Sequence, residues 1–256
     1  MIDTHCHLDA AEFSTDYRAA SALARAAGVT RIIVPGVSVA CFPRQKFVVA
    51  TTPGAYAAYG IHPLYLTQSD SGDLQQLRHY LQQERPVAVG EIGLDFYIPQ
   101  ADKAQQTEFF AAQLQLAREF ELPVILHSRR AVDAVLHALR RHPVRGGVAH
   151  AFNGSLQQAA EFIKLGFKLG FGGALTHAGS RRIRMLATEL PLSALVLETD
   201  APDIAPAWLH GGRNSPEQLP RIAAELAQLR GMTVEELVAH TDANAREVFP
   251  GLDAGC

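Results

Sequence analysis

The sequence predicts an α/β fold, namely a single (β/α)8 TIM barrel domain over residues 1–256. Short apolar runs alternate with longer segments of helical periodicity, which is the pattern of repeated βα units. The length of 256 residues is close to that of one such barrel. No hairpin signal, Ser/Gly-rich linker or low-complexity tract interrupts the alternation, so one domain is the simplest arrangement.

The apolar runs predict strands at residues 2–5, 31–35, 55–61, 86–91, 123–127, 147–150, 167–171 and 195–198. Helices are predicted at residues 14–27, 42–51, 73–83, 102–121, 131–141, 155–165, 180–189, 216–229 and 233–245. Gly28 can end the first helix, and Thr233 with Glu236 forms a capping box at the start of the last. An open doubly wound sheet is the alternative, but no Gly-x-Gly-x-x-Gly turn follows the first run.

Composition limits the class of protein. Hydrophobic residues make up 48% of the chain, which is typical of a globular enzyme. The formal net charge of -3 gives no broad positive field, so any contact with phosphate must be local. Cys6, Cys41 and Cys256 show no paired spacing, which indicates a reducing compartment. We find no signal segment or membrane-spanning run, and therefore expect a cytoplasmic protein with no membrane partner and no obligate protein partner.

Polar residues end several of the predicted strands. His5 and His7 close the first run, and residues two apart share one face of a strand. The other strand-end residues are Glu91, His127, His150 and Asp200, after the fourth, fifth, sixth and eighth runs. Because the carboxyl ends of barrel strands meet at one face, we expect these side chains in one pocket. Burying four histidines and two carboxylates together is costly unless a metal compensates their charges.

Six donors exceed the needs of one tetrahedral ion. The sequence therefore predicts two divalent metal ions that share a carboxylate and a hydroxide. Imidazole and carboxylate ligands suit Zn, Mn, Fe, Ni or Co, and a weaker site could take Mg; the sequence does not choose among them. Glu198, Asp95 and Asp203 are interpreted as supporting carboxylates, the last two in loops.

Six motifs together resemble the TatD family of metal-dependent deoxyribonucleases: Asp3-Thr4-His5-Cys6-His7-Leu8-Asp9, Gly60-Ile61-His62-Pro63, Gly90-Glu91-Ile92-Gly93-Leu94-Asp95, Leu122-Pro123-Val124-Ile125-Leu126-His127-Ser128-Arg129, His150-Ala151-Phe152-Asn153-Gly154 and Leu197-Glu198-Thr199-Asp200-Ala201-Pro202. They occur in family order, and the likeness is strongest to a bacterial subgroup of uncharacterised TatD-type hydrolases. The resemblance implies a barrel, two metals and hydrolysis of nucleic-acid phosphodiesters, often from a 3′ end of DNA and also of RNA. Asn153 replaces the family's usual Ser or Thr, which bears on loop contacts and not on ligation.

The resemblance also implies how the ligands divide. One metal would be held by His5, His7, Glu91 and Asp200, and the second by Glu91, His127 and His150, so that Glu91 bridges them. On this hypothesis a hydroxide activated by both metals attacks phosphorus and Asp200 is the general base. His62, after the third run, could donate to a phosphate oxygen or the leaving group. Arg129, two residues after His127, could bind phosphate through its forked guanidinium.

Two other functions remain compatible with such a barrel. The first is an amidohydrolase that opens a cyclic amide or lactone; many of these bridge their metals with a modified Lys at the fourth strand, where this chain has Glu91. The second is a non-enzymatic barrel that binds nucleic acid and keeps its metal for structure. An incomplete ligand set would favour the second function, whereas the predicted set is complete.

Overall fold

The computed structural model describes residues 1–68 and 71–253. The strands are β1 (Ile2–Asp3), β2 (Arg31–Pro35), β3 (Ala55–Tyr59), β4 (Ala88–Asp95), β5 (Val124–Arg129), β6 (Gly147–Ala149), β7 (Phe167–Phe171) and β8 (Leu195–Leu197). The α-helices are α1 (Tyr17–Ala26), α2 (Phe42–Ala50), α3 (Ser71–Glu84), α4 (Lys103–Glu119), α5 (Val132–Arg141), α6 (Leu156–Lys164), α7 (Arg181–Glu189), α8 (Leu219–Arg230) and α9 (Val234–Val248). Short 3-10 helices lie in several of the connections.

The strands pair in chain order, each parallel to the next, as in a (β/α)8 barrel. The first and last strands meet near their carboxyl ends. There the Thr4 N–H donates to the Leu197 carbonyl at 3.1 Å, and Cys6 forms a parallel bridge with Ala201. The barrel is therefore nearly closed, and the predicted fold class is confirmed.

Only β2 and β7 end at the predicted residue, and among the other strands β1 and β4 depart in ways that shape the pocket. β1 stops at Asp3 instead of residue 5, and the next residues alternate between β2 and the β8 side: the Cys6 N–H donates to Ile33, whereas the Thr4 and His7 N–H groups donate to Leu197 and Ala201. β4 continues to Asp95 instead of stopping at Glu91. Its pairing with β5 shifts register between Val89 and Ile92, so Glu91 lies at an irregularity inside the strand.

Local signals at the helix ends correspond to observed hydrogen bonds. The Thr233 hydroxyl accepts the Glu236 N–H at 3.2 Å, and the Glu236 carboxylate accepts the Thr233 N–H at 3.0 Å, which confirms the capping box. Gly28 follows α1 with φ at +95°, a conformation that glycine tolerates best. α1 begins at Tyr17 and not at residue 14, because a separate 3-10 turn, Ala11–Phe13, precedes it.

The inside of the barrel is apolar at the amino ends of the strands. One contact cluster takes a buried residue from most of the strands and closes on the end of the chain after α9: Ile2, Ile33, Ala58, Ala88, Ile125, Val148, Val196, Val248, Phe249 and Leu252. A larger cluster packs the strands against the surrounding helices. Because no polar group is favoured in this filled interior, the polar side chains concentrate at the carboxyl ends of the strands.

None of the helices in the described part of the chain has the combination of length and apolarity that crossing a membrane requires. Cys6 and Cys41 are free thiols. Cys256 lies outside the described residues.

Candidate metal centre

His5 and His7 enter the pocket directly after β1. Their Nε2 atoms are 3.1 Å apart, and His5 is fully buried. The Nδ1–H of His7 donates to the Pro35 carbonyl at 3.2 Å, so Nε2 is the ring nitrogen that faces His5. Two imidazole nitrogens this close require a proton or a cation between them.

Glu91 lies between two groups of histidines, and each of its oxygens faces one group. Oε2 is 3.2 Å from Nε2 of His5 and 3.4 Å from Nε2 of His7. Oε1 is 2.9 Å from Nδ1 of His127 and 2.9 Å from Nε2 of His150. This arrangement follows from the irregularity in β4, which turns the Glu91 side chain into the centre of the barrel mouth.

Asp200 joins the group at Oε2 of Glu91. Its Oδ1 lies 3.4 Å from Nε2 of His5 and 3.9 Å from Nε2 of His7. Its backbone has φ at +58° and its N–H donates to the His5 carbonyl at 2.8 Å, which brings the side chain over the pocket. Burial raises the pKa of Asp200, and the neighbouring imidazoles only partly oppose this shift.

Asp95 orients His127 from behind. Its Oδ2 accepts from Nε2 of His127 at 3.1 Å, so Nδ1 is the ring nitrogen that faces Glu91, at 2.9 Å from Oε1. A carboxylate that fixes the tautomer of a ligating histidine is typical of metal sites. The sequence interpretation of Asp95 as a loop carboxylate is wrong about its position, because it is the fully buried last residue of β4.

Asp3 connects β1 to the segment after β8 beneath the pocket, and the sequence analysis missed it. Its Oδ1 accepts the backbone N–H groups of His5 at 3.2 Å and Thr199 at 2.9 Å, and its Oδ2 accepts the Thr199 hydroxyl at 2.6 Å. Burial raises the pKa of Asp3 to about 7, although these hydrogen bonds oppose the shift. Its position two residues before His5 was an available signal, since both residues then share a strand face.

His62 contacts the same centre with a defined tautomer. Its Nδ1 accepts the Leu64 N–H at 3.1 Å, and its Nε2 lies 3.4 Å from Oε1 of Glu91. Burial lowers the pKa of His62, so the ring is neutral and carries its proton on Nε2. His62 lies within ligand distance of Glu91 and His127, but a protonated nitrogen donates a hydrogen bond and does not bind a metal.

Arg129 lies at the rim and not in the cluster of imidazoles. It is the last residue of β5, on the same strand face as His127, and its side chain is 50% exposed. Its guanidinium carbon is 3.7 Å from the centroid of the Tyr97 ring, and its Nη1 is 4.0 Å from Oδ2 of Asp95. The guanidinium is therefore held beside the pocket with its charge open to solvent.

The electrostatics of the cluster favour a cation. Burial alone would raise the pKa of Glu91, but His150, His62 and His5 together lower it well below its usual range. Burial would lower the pKa of His7 and His150, yet Glu91 raises these values to about 9 and about 10. Protons therefore gather around an ionised carboxylate, and divalent ions would replace them in a site with these donors.

Three groups of donors each bring one ligand atom per residue within 4.8 Å of the others: His5 with His7 and Asp200, His5 with Glu91 and His150, and His62 with Glu91 and His127. The first group lies within the expected ligand set of one metal, whereas the other two differ from the expected second set because His150 is grouped with His5 and His62 is grouped with His127. Nδ1 of His150 is buried without a hydrogen-bond partner among the described residues and lies 3.9 Å from Glu198. The structure thus brings all six candidate ligands together, with His62 beside them and Arg129 at the rim.

The model of the family described as TatD related DNase matches residues 2–250 of the chain. The chain belongs to the TatD family. It is 42% identical over 240 residues to the uncharacterized metal-dependent hydrolase YjjV of Escherichia coli (strain K12), with 93% of each chain covered. It is 33% identical over 257 residues to the 3'-5' ssDNA/RNA exonuclease TatD of Pantoea sp. (strain At-9b), covering 97% of this chain and 99% of that one.

A solved structure gives the same result. The crystal structure of YjjV, a TatD homolog from Escherichia coli, superposes with a TM-score of 0.94 at 41% identity, covering 98% of both chains. The chain is therefore a metal-dependent hydrolase of the TatD family, which confirms the predicted family and the predicted class of metal-dependent hydrolase.

Proposed function

We propose that this TatD-family hydrolase cleaves phosphodiesters at the ends of DNA or RNA strands with two divalent metal ions. The observation that carries the proposal is the position of Glu91 between two groups of imidazoles. One carboxylate oxygen faces His5 and the other faces His127. One ion would be held by His5, His7, Glu91 and Asp200, and the other by Glu91, His127 and His150. A relative named as an exonuclease of single-stranded DNA and RNA supports nucleic acid as the substrate class.

When bound, such ions lower the pKa of water and offset the charge of the phosphate oxygens. Asp200, which is 8% exposed at the pocket mouth, takes a proton from the attacking water. The water oxygen bonds to phosphorus as the bond from phosphorus to the leaving oxygen breaks. Neutral His62 donates its Nε2 proton toward a phosphate oxygen or the leaving oxygen, and Arg129 binds a phosphate oxygen from the rim.

The structure offers no comparable support for hydrolysis of a cyclic amide. Glu91 occupies β4, where many enzymes of that class have a modified lysine. The lysines of this chain contact groups elsewhere: Lys46 pairs with Glu84, Lys103 lies over Phe96, Lys164 pairs with Glu161, and Lys168 pairs with Glu247.

Metal analysis of the purified protein, paired with a substrate screen, tests the proposal. We expect about two divalent ions per chain. We also expect hydrolysis of a single-stranded oligonucleotide and of bis(4-nitrophenyl) phosphate with added Mn or Zn, and no opening of dihydrouracil. Full activity with one ion per chain would overturn the two-metal proposal. Turnover of the cyclic amide without diester cleavage would overturn the proposed substrate class.

A further inference from the structure

A group of basic and aromatic side chains lies on the rim of the barrel beside His127. We call Tyr97, Arg129 and Arg130 the Tyr97 cluster. The guanidinium carbons of Arg129 and Arg130 lie 3.7 Å and 4.8 Å from the centroid of the same Tyr97 ring. Both guanidinium groups therefore make cation–π contacts with the Tyr97 ring, and these contacts hold the two positive charges close together.

The cluster is open to solvent and its charge is largely uncompensated. The Tyr97 side chain is 43% exposed, Arg129 is 50% exposed, and Arg130 is exposed as well. The carboxylate nearest to Arg129 is Asp95, at 4.0 Å. Within residues 1–68 and 71–253, no carboxylate forms an ion pair with Arg130. The exposed sides of these guanidinium groups are therefore accessible to an external anion.

Hydrogen bonds through Asp95 also connect the Tyr97 cluster to the metal centre. Oδ1 of Asp95 accepts the Tyr97 N–H at 2.9 Å, while Oδ2 of the same carboxylate accepts from His127 at 3.1 Å. The Phe96 N–H donates to the Arg129 carbonyl at 2.8 Å, which joins the end of β4 to the end of β5. Any anion at the cluster therefore has a defined position relative to the ligands of the metal centre.

A cleft of about 370 Å³ begins at Arg130. Its wall includes the Phe96 side chain and the first residues of α5, and Lys103 lies 5.0 Å from the centroid of the Phe96 ring. The Asp133 carboxylate in this wall accepts from the Gln158 amide at 2.7 Å. A nucleotide whose phosphate contacts Arg130 would therefore place its sugar and base along this cleft.

We propose that the Tyr97 cluster spans two phosphates, with Arg129 at the scissile phosphate and Arg130 at the next one, so that full binding requires at least two consecutive phosphodiesters. The inference rests on the proposed nuclease function. Arg129 and Arg130 are adjacent in the chain and share one ring, so their charges match neighbouring phosphates of one strand. Basic grooves with aromatic side chains are typical of single-strand binding, and the net charge of -3 argues against wide contact with a duplex.

Tyr97 acts in this subsite as a positioning residue, because its ring holds both guanidinium groups. The ring, and not the hydroxyl, makes these contacts. Phenylalanine should therefore replace Tyr97 with little loss, whereas alanine should release both arginines.

Binding of a six-nucleotide phosphorothioate thymidine strand to the holoenzyme, measured by fluorescence anisotropy over a range of KCl concentrations, tests the proposal. Each phosphate contact on a single strand contributes about 0.7 to the slope of log affinity against log salt. We expect Arg130→Gln to lower the magnitude of that slope by about 0.7. Arg141→Gln is the matched control, since it removes the same charge from an exposed residue at the far end of α5.

Tyr97→Ala should lower the slope and Tyr97→Phe should restore it. In turnover, Arg130→Gln should raise KM for the thymidine strand more than KM for bis(4-nitrophenyl) phosphate. An unchanged slope in Arg130→Gln, or an equal change in Arg141→Gln, would overturn the subsite. Equal KM changes for both substrates would overturn the role of a second phosphate. If the wild type cleaves neither substrate, the proposed function fails, and the binding slopes still report on the cluster separately.

Discussion

On the β1/β8 side of the metal centre, His5 and Asp200 are supported from below by Asp3, which is fully buried and accepts three hydrogen bonds. On the β4/β5 side, His127 is supported by Asp95, but the neighbouring Arg129 is 50% exposed. The first side joins β1 to the segment after β8 through buried hydrogen bonds. The second side joins a ligand directly to an open, basic rim. The difference indicates that the β1/β8 side maintains ligand geometry, whereas the β4/β5 side combines ligation with contact to substrate.

Glu91 belongs to both sides, so its replacement should have the largest effect. We expect Glu91→Gln to lower bound metal and turnover together, by more than about 10⁴-fold in turnover, because each ion contributes several kcal/mol to the barrier and both lose a ligand. Metal content by mass spectrometry and initial rates on a diester give the measurement. A variant with unchanged metal content would show that Glu91 does not bridge two ions.

Asp200 tests the β1/β8 side alone. As general base it should be worth about 10²–10⁴-fold. We therefore expect Asp200→Asn to lose turnover by that factor at saturating metal, with its circular dichroism spectrum unchanged. Recovery of near wild-type turnover in excess metal would assign Asp200 a purely ligating role.

His62 separates proton donation from ligation near Oε1 of Glu91. Asparagine can still accept the Leu64 N–H at the position of Nδ1, but it has no group at the position of Nε2. We expect His62→Asn to lose about 10²–10³-fold in turnover, the usual effect of removing one donor to a developing negative charge. Metal content should stay at the wild-type level.

His62→Gln is the companion variant, since its amide can reach the Nε2 position and donate. It should recover part of the lost turnover. Loss of one ion from His62→Asn would instead identify His62 as a ligand and contradict the tautomer deduced from the Leu64 contact.

Asp3 tests whether the β1/β8 side depends on buried hydrogen bonds. Asparagine replaces one acceptor oxygen with an amide that opposes the Thr199 hydroxyl or N–H. Supporting residues of this kind typically affect metal affinity by about 10–100-fold, and we expect a loss of this size in Asp3→Asn. Competition with a chelator measures the affinity.

Asp242→Asn is the control for Asp3, because Asp242 accepts the Ile2 N–H at 2.8 Å at the opposite end of the same strand. It should bind metal as the wild type does. If both variants bound metal equally weakly, the general stability of β1 would determine metal affinity, and not the hydrogen bonds of Asp3 to His5 and Thr199.

Replacement of Arg129 should have the smallest effect of these variants, and it should change only substrate binding. We expect Arg129→Ala to raise KM for a phosphodiester by roughly tenfold, the scale of one charge-assisted hydrogen bond. Metal content should not change, since the guanidinium lies outside the imidazole cluster. Equal Michaelis constants for variant and wild type would reject a role in binding.

How much of the metal centre the sequence predicts differs between its β1/β8 side and its β4/β5 side. His5, His7 and Asp200 stand out because polar residues directly follow apolar runs, and the barrel topology brings such positions to one face. Asp95 is predicted as a supporting carboxylate but is placed in a loop, because an irregularity inside β4 carries the strand four residues beyond the predicted end. A register shift depends on pairing with β5, which periodicity within one segment does not encode.

The sequence by itself determined the alternation of strands and helices, the capping box at Thr233, and which residue types gather at the barrel mouth. These properties depend on local patterns and on one topological rule. Only the tertiary structure decided that the oxygens of Glu91 face different histidines, that Asp3 connects His5 with Thr199, and that Tyr97 holds two arginines. Each of these contacts joins residues from different strands or loops, and its direction depends on register, tautomer and side-chain packing across the barrel.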